Sequence, residues 1–412
     1  METITLSNGI RLVVETRPSQ MFYINVLVKC GSVYEKKHNS GIAHFIEHML
    51  FKGTKNRTAT QIMTELDNIG TNIDAATTYD YTYYKSSCLL DDAESLVNIL
   101  ADMVTNPLFS PSDIASESKV ILEEYYMADD SLEEYISDKT YRAIYKNSPK
   151  ENSVIGRASV IANMTSAKLH NFHHRYYCGE NISISVVSSL DAASVYQLIK
   201  LAFNNISRGE AAICPISKFL GGYRAIRKGG NDLPVAMLSF DAHPQTMFAL
   251  EDALMCDILN RRLFVSIREE LALSYAVGAS LEQDDKDGIL TFEVSASNEN
   301  INQCIEIFID EINTLKTCGC TETELAKAQK NSIRNLIKTF EANDSRSSFN
   351  AMMLFMYQQV YDFERFKAEF MRINCEDIKK SAQRIFTKNL LYVFCGAMKN
   401  NISYEEVTNR LI

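Results

Sequence analysis

Among 412 residues, one short segment gathers groups able to do metal chemistry: Gly41-Ile-Ala-His44-Phe-Ile-Glu47-His48-Met-Leu-Phe-Lys-Gly-Thr54. His44 and His48 stand four residues apart, so on a helix both imidazoles project from one face. That spacing suits two ligands of one tetrahedral zinc ion. Glu47 lies beside His48 and three residues after His44, so its carboxylate reaches the same face. There it could take a proton from water at the metal. The order is that of the zincin His-Glu-x-x-His motif read backwards. Helical histidines can also simply pack or cap. The chain has only seven, however, and two of them bracket a glutamate in an otherwise apolar helix. Burying three such polar groups without a shared partner is costly, and a metal offsets the cost.

A catalytic zinc needs a third protein ligand and an open position. The segment Ala115 to Glu124 reads as a helix in which Glu117, Val120, Ile121 and Glu124 share one face. Two carboxylates on an apolar face point inward. Periodicity favours Glu124 as the metal ligand, with Glu117, two turns earlier, supporting the site from behind. Glu123 faces elsewhere and is expected in solvent.

The elements that must position these groups follow one plan twice. In the first half, Ile4–Glu15 and Tyr23–Cys30 read as strands of a hairpin, and 41–51 and 59–69 as helices. Asn72–Leu89 is strand-like, 92–104 and 111–127 are helical, and Asn181–Ser188 is a closing strand. In the second half, Val235–Ala242 reads as a strand and Ala249–Arg268 as a helix. Two strands follow within Ser274–Ser297, around Asp284-Asp285-Lys286-Asp287-Gly288, then helices at 301–315 and 323–340 and a strand at Leu390–Cys395. The expected fold class is α+β: two homologous domains, each a mainly antiparallel sheet with helices packed on it. The glycines at 209, 221, 222, 229 and 230, with Pro215, place a linker at 207–231 between domains 1–206 and 232–412.

Composition removes several alternatives. A net charge of −10 argues against nucleic-acid binding, which needs clustered Lys and Arg. No apolar run approaches the roughly 20 residues of a membrane span. The opening residues lack a basic-then-apolar signal, so a cytoplasmic location is expected. The ten cysteines are scattered, several inside apolar runs and none in a Cys-x-x-Cys pair, which suits buried thiols rather than disulfides.

These residues together resemble the M16 (pitrilysin- and insulinase-type) metallopeptidases, most closely the short two-domain members that include mitochondrial processing peptidase. The resemblance spans nearly the whole chain. Thr5-Leu-Ser-Asn-Gly-Ile-Arg-Leu12, Gly31-Ser32 and His44 to Thr54 match that family's opening. The family's ligand glutamate lies 76 or 77 residues past the second motif histidine; here 124 − 48 = 76, which implies Glu124. The family's additional glutamate, seven residues earlier, falls on Glu117. Arg268 and Tyr275 match an arginine and a tyrosine that hold substrate in the family, although the residues alone would read as a surface cation and a core ring. Gly70 to Thr82, with Asp74, Ala75, Ala76 and Thr77, resembles the family's substrate-binding edge strand.

Three positions depart from the pattern. Asp74 stands where asparagine is usual, Cys256-Asp-Ile-Leu-Asn-Arg-Arg262 replaces a glycine-rich run, and Ala272 replaces a glycine. The resemblance implies a LuxS/MPP-like fold and one Zn²⁺ per chain. It further implies a homodimer enclosing a chamber that admits unfolded peptide substrates, and endopeptidase activity with Glu47 as general base. Family members that serve as non-catalytic scaffolds, or act only with a different subunit, supply the competing expectation; scaffold members usually lose a ligand or the base, and this chain keeps both. His173-His174 are expected to be structural, and His38 and His243 receive no role.

Overall fold

The computed structural model describes every residue except 229–232, 243, 245–249, 285 and 397–400. His243, residues 229–231 of the expected linker, Ala249 at the expected helix start and Asp285 therefore lie outside the described residues.

Two compact units are present, and neither is a continuous stretch of chain. The first comprises 1–128, 152–215 and 338–361; the second comprises 129–151, 216–337 and 362–412. One boundary between the units falls between Pro215 and Ile216, inside 207–231, and each unit also holds a segment from the other half.

The first unit is built on a sheet of six strands: β1 (Glu2–Thr5), β2 (Arg11–Thr16), β3 (Met21–Val28), β4 (Asp74–Thr77), β5 (Thr82–Leu89) and β6 (Ile182–Ser188), in the order β1-β2-β6-β3-β5-β4. The expected hairpin between 4–15 and 23–30 does not form. β6 inserts between β2 and β3, parallel to the former and antiparallel to the latter. A turn at Asn8-Gly9 joins β1 to β2.

β6 is buried at all seven positions, so both faces of the sheet are covered. Leu12, Val14, Ile24, Val26, Ile184 and Val186 face one core. The alternate positions, Glu15, Asn25, Ser183 and Ser185, carry polar groups that alone read as a solvent face. They are covered by the helix Asn343–Tyr357, a segment of the second half. Arg346 Nε donates to Glu15 Oε2 at 2.6 Å, Asn350 Nδ2 donates to the same oxygen at 2.8 Å, and the Arg346 guanidinium lies 3.6 Å from the Phe340 ring centroid.

The second unit repeats the topology. Its strands are β7 (Gly222–Ile226), β8 (Val235–Asp241), β9 (Ala276–Gln283), β10 (Gly288–Ser295) and β11 (Leu390–Cys395), ordered β7-β11-β8-β10-β9. Among the described residues β7 with β11 is the one parallel pair there, as β2 with β6 is in the first sheet. Omitting β1, the two orders correspond strand for strand, which bears out the repeated α+β plan. One sheet face packs on the helix Leu132–Ile144, contributed by the first half, through Ile136, Ala143 and Ile144. On the other, Phe292 stacks on Phe308 with centroids 4.1 Å apart. The expected helix 249–268 is α-helical over Glu251–Leu263 and widens into a π-helical stretch over Phe264–Glu270.

Seven of the ten cysteines are buried, and no disulfide forms among the described residues. No helix among those residues is long and apolar enough to cross a membrane.

Arg346 is 2% exposed, so truncating it strands the Glu15 carboxylate beneath the covering helix. Arg346→Ala should destabilise the chain by about 3–5 kcal/mol. A urea unfolding midpoint equal to that of the parent would contradict this account.

Candidate metal centre

The motif occupies a short helix, Ile42–Met49, which buries Ile42, Ala43, Phe45, Ile46 and Met49 in the first core and leaves His44 and His48 half-buried. Its start is unusual. Gly41 has φ +89°, and a Cβ there would sit 2.6 Å from the carbonyl of Ile155, so only glycine suits the turn. The first N–H groups of a helix lack intrahelical partners. Here the buried Glu35 supplies them: Gly41 N donates to Oε2 at 2.7 Å and Ala43 N to Oε1 at 2.9 Å. Burial pushes the Glu35 carboxyl up to about 8, against the downward pull of these N–H bonds.

His44 Nε2 and His48 Nε2 lie 3.3 Å apart. Glu124 Oε2, from the helix Pro111–Asp130, lies 3.8 Å from the first and 3.5 Å from the second. His44, His48 and Glu124 form the one group among the described residues whose donor atoms converge in the manner of a metal site. His48 Nδ1 is 2.9 Å from Glu117 Oε1; donation to that carboxylate leaves Nε2 with its lone pair directed at His44. Burial, and secondarily His48, lowers the His44 pKa to about 3, so its imidazole is neutral. These three lone-pair donors suit zinc. Ligand bonds of about 2.0–2.1 Å at a tetrahedral angle put two nitrogens about 3.3–3.4 Å apart.

Three further contacts brace the centre. Glu117, 3% exposed, has its second oxygen 2.6 Å from Lys52 Nζ, so a relay runs from Lys52 through Glu117 to His48. Glu47 is buried, and its Oε2 accepts a 2.9 Å hydrogen bond from Thr77 Oγ1. Burial raises the Glu47 carboxyl above its ordinary range, opposed first by the Thr77 bond. Thr77 ends β4, an edge strand whose position is fixed by a close backbone approach. A Cβ on Gly31 would meet the Tyr79 carbonyl at 2.4 Å, and Val33 N donates to that oxygen at 3.0 Å.

The structure brings His44, Glu47, His48, Thr77, Glu117 and Glu124 together. Ala75 and Ala76 are half-buried along the same strand, and Asp74 at its start is exposed, 3.3 Å from Lys85 Nζ. Val120, assigned to the inward face, is exposed, as is Glu123. In the second unit Arg268 and Tyr275 meet each other: the guanidinium lies 4.1 Å from the ring centroid, and Tyr275 is 81% exposed. Ala272 between them adopts φ +48°, the left-handed conformation that glycine takes without strain. His173 is buried and 2.8 Å from the Val104 carbonyl, a structural role as expected. Sequence reasoning missed Glu35 and Lys52. Lys52 was open to it, being four residues past His48 on the helical face of both histidines. Nothing local marks Glu35 as a cap, since it lies six residues before Gly41.

Residues 11–158 match the family profile described as Insulinase (Peptidase family M16), and 163–332 match that of the Peptidase M16 inactive domain. The chain is 28% identical to a protein named an uncharacterized zinc protease from Rickettsia bellii, over 97% of both chains. It is 32% identical to the mitochondrial-processing peptidase subunit beta of Dictyostelium discoideum, over 50% of this chain and 45% of that one. The crystal structure of a protease from Helicobacter pylori has a similar fold, with a TM-score of 0.87 at 22% identity, covering 96% of this chain and 99% of that one.

Glu117→Gln keeps the shape of the relay but removes the charge that faces both Lys52 and His48. It should weaken zinc binding by about 10–100-fold, as losses behind a ligating histidine do. Competition against a chromophoric chelator measures this, and an unchanged affinity would remove Glu117 from the support of the centre.

Proposed function

The chain belongs to peptidase family M16, and from that premise we propose that it is a zinc-dependent endopeptidase acting on unfolded peptides, with Glu47 moving the proton. The reading is carried by the convergence of His44, His48 and Glu124 beside a buried glutamate tied to an edge strand.

His44 and His48 would hold zinc through Nε2 and Glu124 through a carboxylate oxygen. When bound, zinc supplies a Lewis acid that polarises a peptide carbonyl and acidifies water. Glu47 takes the proton of the attacking water and returns it to the departing amide nitrogen. Burial raises its pKa, which makes the carboxylate a stronger base than a solvated one. Thr77 holds one oxygen of Glu47 and thereby fixes the carboxylate's orientation.

Substrate binding uses β4. Among the described residues that strand pairs only with β5, so its outer edge, Asp74 to Thr77, offers main-chain groups to an extended peptide. Such a peptide runs beside Glu47 because Thr77 belongs to both the strand and the hydrogen bond. Main-chain recognition admits varied sequences and excludes folded proteins. Lys85 offsets much of the charge of Asp74, which weakens any preference for basic peptides. Arg268 and Tyr275 present a cation and a ring face as one unit, a pairing suited to gripping a peptide carbonyl and its neighbouring side chain.

Glu47→Gln should reduce cleavage of an unstructured peptide library by at least about 10²-fold, with about one zinc per chain retained. Turnover at the parental rate would eliminate Glu47 as the proton carrier. Arg268→Ala should lower kcat/KM by about tenfold or more at unchanged zinc content. Identical kinetics would show that the second unit's pair does not touch substrate.

A further inference from the structure

A second concave site lies in the first unit, away from the metal-binding face of the motif helix. It is a pocket of about 410 Å³, within the size range of small-ligand sites. Three segments form its walls: the turn containing Lys36, His38 and Asn39, the helix Ser166–Tyr176, and the extended stretch at Ile213 and Pro215. The helix contributes Lys168, Asn171, Phe172, Arg175 and Tyr176, at helical spacings that put them on one face. Ile42, the first residue of the motif helix, closes the floor.

Two properties stand out together. The lining contains Lys36, Lys168, Arg175 and His38 but no aspartate or glutamate, on a chain of net charge −10. Among the described residues none of Lys36, Lys168 and Arg175 has a carboxylate partner; Lys168 Nζ reaches only the Asn163 carbonyl at 3.1 Å, and Arg175 lies over the Tyr176 ring at 5.4 Å. Alongside these cations stand Tyr34, Phe172 and Tyr176, and Ile213, which is 88% exposed at the rim. A cationic wall beside an aromatic one matches a ligand with a single anionic end and an apolar body. The groove of about 430 Å³ in the second unit is a weaker case. It is lined by more cations, but Lys139 and Arg142 already face Asp138 at 3.5 and 2.9 Å, and Glu151 is part of its wall.

We propose that this pocket binds the C-terminal end of a peptide, its carboxylate against Lys168 and Arg175 and an apolar last side chain among Phe172, Tyr176 and Ile213. The choice of a peptide terminus among apolar carboxylates rests on the peptidase reading, since each cleavage creates a new C-terminus. The pocket then serves as a holding site for one end of a substrate or product.

The test uses the zinc-loaded Glu47→Gln protein and an amino-terminally fluorescein-labelled tetrapeptide ending in phenylalanine. Anisotropy is followed for the free acid and for its C-terminal amide, with and without 1,10-phenanthroline. The free acid should bind at least tenfold more tightly than the amide, and the chelator should not change its affinity. Lys168→Glu/Arg175→Glu and, separately, Ile213→Asp should each weaken binding at least tenfold while zinc content stays parental, which reports an intact first unit. Equal binding of acid and amide, loss of binding with the chelator, or indifference to both variants would each overturn the proposal. So would competition by N-acetylphenylalanine as effective as by the unlabelled tetrapeptide, because the pocket would then read a free small carboxylate. None of these outcomes depends on turnover, so a failure of the peptidase reading registers separately, as absent cleavage by the parent protein.

Discussion

Two imidazole nitrogens 3.3 Å apart, with a carboxylate oxygen 3.5 and 3.8 Å away, converge in the manner of ligands to one metal ion. Much of the first unit can be understood as the means of holding that arrangement. Glu117 fixes the tautomer of His48, and Lys52 holds Glu117 in place. Glu35 satisfies the N–H groups at the start of the motif helix, so its first turn needs no water and can lie inside the core. A loss at any of these supports moves a nitrogen whose useful position spans a few tenths of an ångström.

The rigidity beneath the helix comes from a sheet covered on both faces. On one side the apolar residues of β2, β3 and β6 meet the motif helix and its neighbours. On the other, the helix Asn343–Tyr357 closes over Glu15, Asn25 and the serines of β6. A buried ion pair such as Arg346 with Glu15 adds little net stability over a well-packed apolar contact. What it supplies is choice. A helix carrying Arg346 and Asn350 is matched to the polar face of the first sheet, where Glu15 can accept from both. The second sheet offers apolar Ile226, Met237 and Val393 to the helix Leu132–Ile144. The two exchanged segments are therefore distinguished by polarity, a safeguard for a chain whose halves share one topology.

That exchange also marks where sequence reasoning reached its limit. Strand alternation and helical periodicity identified most of the elements and their repetition, because each depends on neighbours in the chain. Glu15, Asn25, Ser183 and Ser185 carry the pattern of a wet face, and nothing local reveals that residues more than 150 positions away cover them. The insertion of β6 between β2 and β3 was hidden for the same reason: partner choice in a sheet is a long-range matter. The site was more legible. The four-residue spacing of the histidines and the seven-residue spacing of Glu117 and Glu124 are local signatures of shared faces. Glu35 and the Thr77 bond are contacts across loops that no periodicity encodes. Arg268 and Tyr275 were singled out through resemblance alone; their contact with each other, across a left-handed Ala272, is a feature that no local pattern encodes.

Three glutamates within one small region are differentiated by what surrounds them. Glu117 has a cation against one oxygen and an imidazole nitrogen against the other, so both oxygens are engaged and it acts as a strut. Glu124 is partly exposed and faces two imidazole nitrogens, completing the group whose donor atoms could hold a metal. Glu47 is buried, touches a neutral hydroxyl instead of a cation, and has its pKa pushed upward by that burial. Three chemically identical groups thus sit in three distinct environments within one small region. A lysine or arginine in the place of Thr77 would stabilise the ionised form of Glu47 and remove that distinction. A neutral donor orients the carboxylate while leaving its basicity to burial, and that donor is the last residue of the edge strand β4.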